Sequence, residues 1–449
     1  MRKLFGTDGI RGLANAGDVT PEVAFRLGRA GAFFFKSRHK TPSIVVGRDT
    51  RLSGDMLEGA LVAGISSMGV NVLRVGVMPT PAIAWLTARY QADAGVVISA
   101  SHNSFEDNGI KFFSPQGEKL SDETEAKIEA LYHGAQINAE RPIAEGVGRV
   151  LEEPGALSEY CGFARRTVPE HLNLRNMHIV VDCGHGATYL STPEVLRRLG
   201  ARVTVLNDQP DGRNINANCG STYPQAMQDA VVRLGADCGL AHDGDGDRVL
   251  MADESGKLVD GDRMLGLYAI HRKAQNALPK DTVVATVMSN LGFEQAMEKA
   301  GITLLRAQVG DRYVLELMKK SGSMLGGEQS GHIIFRRHQP TGDGLITALQ
   351  MLRVIKESGK PLAELAGFMA EVPQILVNVK LAKKKDIKSV KPLAAEMARV
   401  QRLLGKQGRL LVRWSGTEPK LRIMIEGQSM GEIEALANRL AELAKKHIK

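Results

Sequence analysis

Asp243, Asp245 and Asp247 alternate with Gly244 and Gly246 over five residues. In an extended segment every second side chain points the same way, so this spacing gathers three carboxylates. Three like charges held together need a cation, and hard oxygen donors select Mg2+ or Ca2+ over softer metals. The glycines let the backbone turn tightly. An EF-hand loop is rejected. Glu254 falls at the twelfth position from Asp243, but Arg248 stands at the sixth, where glycine is required. The residues that follow read instead as a hairpin around Glu254-Ser255-Gly256. A solvated acidic turn is the plain alternative, and the glycine alternation favours a metal site over it.

Other stretches carry weaker signals. Ser99-Ala100-Ser101-His102-Asn103 is a polar loop after an apolar run. Serine beside histidine suggests a nucleophile, but the G-x-S-x-G elbow is missing, and alone this loop reads as an ordinary turn. Arg413-Trp414-Ser415-Gly416-Thr417-Glu418-Pro419-Lys420-Leu421-Arg422 sets two hydroxyls, a glycine and two arginines in a tight turn. Backbone N–H groups, hydroxyls and forked guanidinium donors of this kind suit a phosphate. A plain turn with cross-strand charges is the other reading. Glu328-Gln329-Ser330-Gly331-His332 offers donors and acceptors suited to sugar hydroxyls. Residues 5–12 are glycine-punctuated and carry Arg11.

Positioning these loops is the task of a repeat. Residues 43–46 are a β-branched run, followed by a polar loop, a helix over about 53–68, a stop at Gly69 and a strand over 71–75. A second copy has a strand at 179–181, a helix opened by Thr192 as N-cap and Pro193 as N1, a stop at Gly200 and a strand at 202–206. A third has a strand at 283–287, a helix from Ser289-Asn290 to Ala300, and a strand at 302–305. Strand–helix–strand units imply parallel pairing and right-handed crossovers. Each copy continues to a short apolar strand that opens into one of the polar loops. Ligands of open α/β sheets bind outside the carboxyl ends of strands, so three similar domains can bring three loops to one cleft. The last 80 or so residues differ. Strands at 374–381, 409–413 and 421–426, a helix at 390–404 and a stripe of Ile433, Leu436, Ala437, Leu440, Leu443 and Ala444 predict a small α+β domain.

At 449 residues the chain is too long for one core and predicts several domains. The net charge of +8 is a mild excess that suits an anion site. The basic run Lys383-Lys384-Lys385 has no aromatic neighbours, which argues against nucleic acid. Four cysteines without CxxC spacing fit free thiols in a reducing compartment. No apolar stretch suits a signal peptide or a membrane span, so a cytoplasmic location is expected.

Together the loops SASHN, DGDGDR, GGEQSGH and RWSGTEP, in this order, resemble the α-D-phosphohexomutase superfamily over nearly the whole chain. Within it, FGTDGIRG and GEQSGH look like the bacterial amino-sugar branch, whereas glucose/mannose-type members usually have YDIRG and GEMSGH. The resemblance implies three similar mixed α/β sandwich domains and a smaller α+β C-terminal domain, heart-shaped around a central cleft. The expected divisions are 1–150 (phosphoserine), 151–251 (metal), 252–367 (sugar) and 368–449 (phosphate). It implies interconversion of glucosamine 6-phosphate and glucosamine 1-phosphate through glucosamine 1,6-bisphosphate, a step supplying UDP-N-acetylglucosamine for cell-wall synthesis. By resemblance, Ser101 carries the phosphoryl group. One Mg2+ per subunit is held by Asp243, Asp245, Asp247 and a phosphate oxygen on Ser101, with Arg248 beside it. Glu328 and Ser330 hold the sugar, and Arg413, Ser415, Gly416, Thr417 and Arg422 grip the phosphate not being transferred. Arg11, Lys111 and His332 match positions that assist proton transfer, and Lys111 can equally serve only to stabilise charge. The partner implied is a small phosphosugar, with no nucleic acid or membrane, and a homodimer is left open. Ser104 replaces the usual proline after SASHN, which predicts a less rigid loop. His242 replaces a usual phenylalanine, and Trp414 fills a variable position.

Overall fold

The computed structural model describes residues 4–6, 8–36, 41–139, 141–415 and 419–448. They form two compact units, one of residues 1–287 and 302–367, the other of residues 288–301 and 368–449.

One strand order recurs three times in the first unit. In the first sheet Asp107–Phe113 runs antiparallel to Ala94–Ile98, which lies parallel to Ser43–Arg48, itself parallel to Asn71–Val77. In the second the same places are taken by Val249–Ala252, Cys238–His242, His178–Asp182 and Arg202–Leu206. In the third they are taken by Ile333–Phe335, Leu325–Gly327, Thr282–Thr286 and Thr303–Ala307. Ile10–Leu13 and Val150–Glu152 extend the edges of the first sheet, and Leu258–Val259 extends the second. The central strands are β-branched and buried throughout (Ile44, Val45, Val46; Ile179, Val180, Val181; Val283, Val284), as parallel strands covered on both faces must be. Burying each such side chain contributes about 1.5–3 kcal/mol.

Helices start where side chains satisfy their free amides. Thr20 caps Pro21–Phe35, Asp260 caps Gly261–Ala274 and Asp343 caps Gly344–Ser358, each accepting from a first-turn N–H. One predicted cap is corrected. The helix of the second repeat is Ser191–Arg198 with Leu190 at its cap, so Thr192 and Pro193 lie inside its first turn. The Thr192 hydroxyl instead meets His242 Nε2 at 3.1 Å.

The second unit has a three-stranded antiparallel sheet in the order Gln374–Lys380, Lys420–Glu426, Arg409–Trp414. Met430–His447 buries Ile433, Ala437, Leu440 and Ala444 in one core with Leu421, Ile423 and Ile425. Leu436 and Leu443 border it, half-buried. The third repeat's helix, Leu291–Lys299, belongs to this unit. There Asn290 brackets the backbone of Val372, and Leu291 N donates to the buried Glu426.

Candidate active site

Ser101 lies just beyond Ala94–Ile98 with φ +52°. Such a backbone costs a non-glycine residue roughly 1–2 kcal/mol, so the surroundings must hold it. Arg51, fully buried, does so. Its Nη2 donates to the carbonyls of Ser101 and Asn103, each at 2.8 Å, and its Nη1 donates to Asp107 at 3.0 Å and to Ser104. Asp49 holds Arg51 Nε at 2.8 Å and accepts from Ser99 Oγ at 2.6 Å, which in turn receives Ser101 N at 2.9 Å. Asn216 adds bonds to the Ser101 and Asn103 carbonyls. With Ser104 in place of proline, the loop is tied down by these side chains.

This clamp aims the Ser101 hydroxyl at Asp243 Oδ2, 2.7 Å away. His102 Nδ1 lies 3.3 Å from the same Oγ, so these sequence neighbours do face one another. Burial, then Arg248 and Arg11, push the His102 pKa down to about 4.

Asp243, Asp245 and Asp247 follow Cys238–His242 and gather ligand oxygens within 4.8 Å of one another. The expected extended segment is corrected to a turn. Gly246 N bonds Asp243 O at 3.1 Å and Gly246 has φ +71°, so the carboxylates converge because the chain folds back. Gly244 is fixed by packing: a Cβ there would stand 2.7 Å from Ser101 O and 2.6 Å from Asn216 Nδ2. His242 braces the loop from below, with Nδ1 3.2 Å from Arg248 O. Burial lowers the His242 pKa to about 4, which keeps the ring neutral.

The triad fits a cation. Burial, then the Asp247 and Asp245 charges, raise the Asp243 pKa well above the carboxylate range. Asp245 Oδ1 and Asp247 Oδ1 are buried without hydrogen-bond partners, which leaves acceptors for a metal. Thr80 Oγ1 donates to Asp245 Oδ2 at 2.8 Å and fixes its other oxygen. Arg248 stands beside the triad, with its Nε 3.7 Å from Asp247 Oδ1.

An ionic chain flanks the metal loop. Asp8 pairs with Arg11 at 2.9 Å, Lys111 at 2.9 Å and Lys119 at 2.7 Å. Lys111 also reaches Asp245 at 3.3 Å, and Lys119 reaches Asp311 at 2.6 Å. Burial works against the Lys111 ammonium, but Asp8 and Asp245 outweigh it and its pKa rises. His332 lies 3.4 Å from both Asp247 and Asp311. Burial disfavours its charged form, but those carboxylates outweigh it and raise its pKa. His332 Nε2 also receives Gly342 N at 3.1 Å. The neutral ring therefore carries its hydrogen on Nδ1, toward Asp247, and a second proton would face Asp311.

Glu328 and Ser330 follow Leu325–Gly327 in a tight turn, with Ser330 Oγ donating to Glu328 Oε2 at 3.4 Å. Glu328 Oε1 accepts from Gly310 N at 3.1 Å.

In the second unit, Arg413 and Arg422 lie directly opposite one another on neighbouring antiparallel strands. Like charges so placed are unfavourable, and an anion offsets them. Ser415 is buried and its N–H bonds Lys420 O at 2.8 Å. Gly416 and Thr417 lie outside the described residues. Trp414 donates from Nε1 to Lys385 O.

Sequence reasoning brought Ser101, Lys111, His332 and the three aspartates to one place. It missed Asp8, Asp49, Arg51, Lys119 and Asp311. For Asp49 and Arg51 the signal is faint: Gly47-Arg48-Asp49-Thr50-Arg51 is a charged loop after a buried strand, the same setting as the serine and metal loops.

Fold and site define a four-part phosphotransfer architecture with a serine set against a carboxylate triad. Residues 2–138, 159–256 and 260–372 match alpha/beta/alpha domains I, II and III of phosphoglucomutase/phosphomannomutase, and residues 376–443 match its C-terminal domain. The chain belongs to the phosphoglucomutase/phosphomannomutase family. It is 52% identical over 443 residues to a phosphoglucosamine mutase of Desulforamulus reducens, covering 99% of each chain. It is 50% identical to the phosphoglucosamine mutase of Syntrophotalea carbinolica, covering 100% of this chain and 98% of that one. Among solved structures, a phosphoglucomutase/phosphomannomutase family protein of Burkholderia thailandensis superposes with TM-score 0.82 at 24% identity, covering 100% and 99%. An Aspergillus fumigatus N-acetylphosphoglucosamine mutase, in complex with GlcNAc-6P and magnesium, has TM-score 0.71 at 18% identity, covering 99% and 96%. Among the described residues no helix is long and apolar enough to cross a membrane.

Proposed function

We propose that the protein interconverts glucosamine 6-phosphate and glucosamine 1-phosphate through phospho-Ser101 and glucosamine 1,6-bisphosphate. The single observation that carries this reading is the Ser101 hydroxyl, 2.7 Å from a buried carboxylate of a triad that fits a cation. Names of relatives about half identical over the full chain support the amino sugar. Asp243, Asp245 and Asp247, with a phosphate oxygen on Ser101, would hold one Mg2+, which when bound neutralises charge on the transferring group.

In this reading Arg413, Ser415, Gly416, Thr417 and Arg422 grip the phosphate that is not transferred. Glu328 and Ser330 orient the sugar. Arg248 and Lys111, the latter held as an ammonium by Asp8 and Asp245, offset the charge spread over the phosphoryl group. Arg11 steadies Asp8 at the edge of the same network. His332, bracketed by Asp247 and Asp311, exchanges the proton of the attacking sugar hydroxyl. The bisphosphate then turns over, its 6-phosphate returns to Ser101 and glucosamine 1-phosphate leaves. The serine, metal, sugar and phosphate functions fall to four domains divided near residues 150, 251 and 367, with a hinge near Gly367 that retains the intermediate. The same reading places the enzyme in the cytoplasm, where it supplies amino-sugar phosphate for UDP-N-acetylglucosamine. Light scattering would read the homodimer it leaves open.

Phosphorus NMR of the protein with Mg2+, glucosamine 6-phosphate and a trace of 1,6-bisphosphate tests the reading. Fast appearance of glucosamine 1-phosphate, with glucose and mannose phosphates slow, is expected. Preference for glucose or mannose phosphate would move the activity to that substrate class, and release of free phosphate without isomerisation would make the protein a phosphatase.

A further inference from the structure

Away from the triad, the first unit holds a cavity of about 690 Å³, a size usual for small-molecule sites. Five guanidinium groups line it: Arg166, Arg272, Arg336, Arg337 and Arg353. Among the described residues only Arg353 of these makes an ion pair, to Glu357 at 2.6 Å. Arg272 Nη1 donates to Gln275, and Arg336 Nη1 is held between the carbonyls of Met318 and Ser323, 3.4 Å from each. The gathered positive charge thus outnumbers its protein counter-charges, an arrangement that an anion stabilises. His338 also lines the cavity. Burial, then Arg337 and Arg353, push its pKa down to about 4, so the ring stays neutral and adds no further positive charge.

The cavity is not polar throughout. Tyr268 and Phe335 meet edge-to-face inside it at 4.9 Å, beside Leu278 and Leu325. Aromatic rings beside arginines are what a flat heterocycle stacks on, while forked guanidinium donors take its phosphates. A lone phosphate would leave the aromatic wall unused, and an apolar ligand would leave four arginines without counter-charge.

We propose that this cavity is a second ligand site, distinct from the catalytic triad, that takes a nucleoside diphosphate group, free or within a nucleotide sugar. The base lies against Tyr268, which is backed by the buried Phe335, and the diphosphate lies among the arginines.

Isothermal titration of the full chain with UDP, ADP and inorganic pyrophosphate, with glucosamine 6-phosphate present at saturation, tests this. Arg166 and Arg337 are exposed at the cavity rim, so Arg166→Ala/Arg337→Ala should fold and keep its turnover. The expected result is saturable nucleotide binding, tighter than pyrophosphate and at least tenfold weaker in the double variant. Titration with UDP-hexose against UDP distinguishes the two sources of the diphosphate group. No saturable nucleotide binding at millimolar concentration, equal affinity in wild type and variant, pyrophosphate binding as tightly as the nucleotides, or loss of binding on adding phosphosugar would each overturn the proposal.

Discussion

Arg51 donates from Nη2 to the carbonyl of Ser101 at 2.8 Å, holding in place a residue whose φ is +52°. The guanidinium is neutralised by Asp49 and spends its remaining hydrogens on three further carbonyls of the same loop. A lysine keeps the charge but lacks the fork. Arg51→Lys is therefore expected to lower kcat about 10- to 100-fold with little change in KM, since reacting-group misplacement of an ångström costs that much. Arg51→Ala strands the buried Asp49 charge and should destabilise the protein by about 3–5 kcal/mol. Steady-state kinetics and thermal melts separate the two effects. Equal loss of stability in both variants with unchanged kcat in the folded fraction would make Arg51 a packing residue only.

Two glycines offer a matched pair. A methyl at Gly244 would press on Ser101 O and Asn216 Nδ2, forcing the metal loop away from the serine. Gly244→Ala should lose about 100-fold in kcat. Gly59 lies inside the helix Gly54–Ser66, and a methyl there would have nothing within 4 Å. Gly59→Ala should leave activity alone and add about 0.5–1 kcal/mol. Assay and melt of both variants side by side check the contrast.

Removing a carboxylate from the triad should cost stability mainly when metal is bound. Asp245→Asn relieves repulsion that raises the Asp243 pKa but also removes a partner of the buried Lys111, so without metal the variant should melt close to wild type. Bound Mg2+ at about 100 times its Kd stabilises the folded state by about 2.7 kcal/mol, and the variant should lose most of that gain. Melts with EDTA and with Mg2+ read both halves. An unchanged Mg2+ shift would remove Asp245 from the ligand set.

His338 gives a pH dependence away from the metal. Its folded pKa, near 4, lies below the 6.5 of an unfolded histidine. The unfolded chain therefore binds the extra proton between these values, and stability falls as pH drops from about 6.5 toward 4. With the ring only partly buried, the loss should reach no more than about 2 kcal/mol. Denaturant titrations of wild type and His338→Asn across that range should diverge toward acid, and a constant difference would contradict the shift.

Much of this architecture was legible in the sequence because its signals are local. Ile44-Val45-Val46 and its two counterparts are β-branched runs with turn residues behind them, and the three sheets repeat one strand order accordingly. The stripe from Ile433 to Ala444 likewise shows its buried face in its spacing. The clamp on Ser101 was not legible, because Arg51 meets Ser101, and Lys111 and Lys119 meet Asp8, only after the sheet has folded. Periodicity carries no information about such pairs. The metal loop shows in the sequence through its carboxylates and glycines, but these carboxylates converge through a turn at Gly246, not through alternation along a strand.

The central claim is that Ser101 carries the phosphoryl group, and the most direct test is to find it there. The protein would be incubated with Mg2+ and glucosamine 1,6-bisphosphate, digested, and its peptides mapped by mass spectrometry beside Ser101→Ala. One added phosphoryl group on Ser101 is expected, discharged by glucosamine 6-phosphate and missing from a variant that has lost turnover. Full mutase turnover in Ser101→Ala, or phosphorylation confined to another residue, would contradict the account.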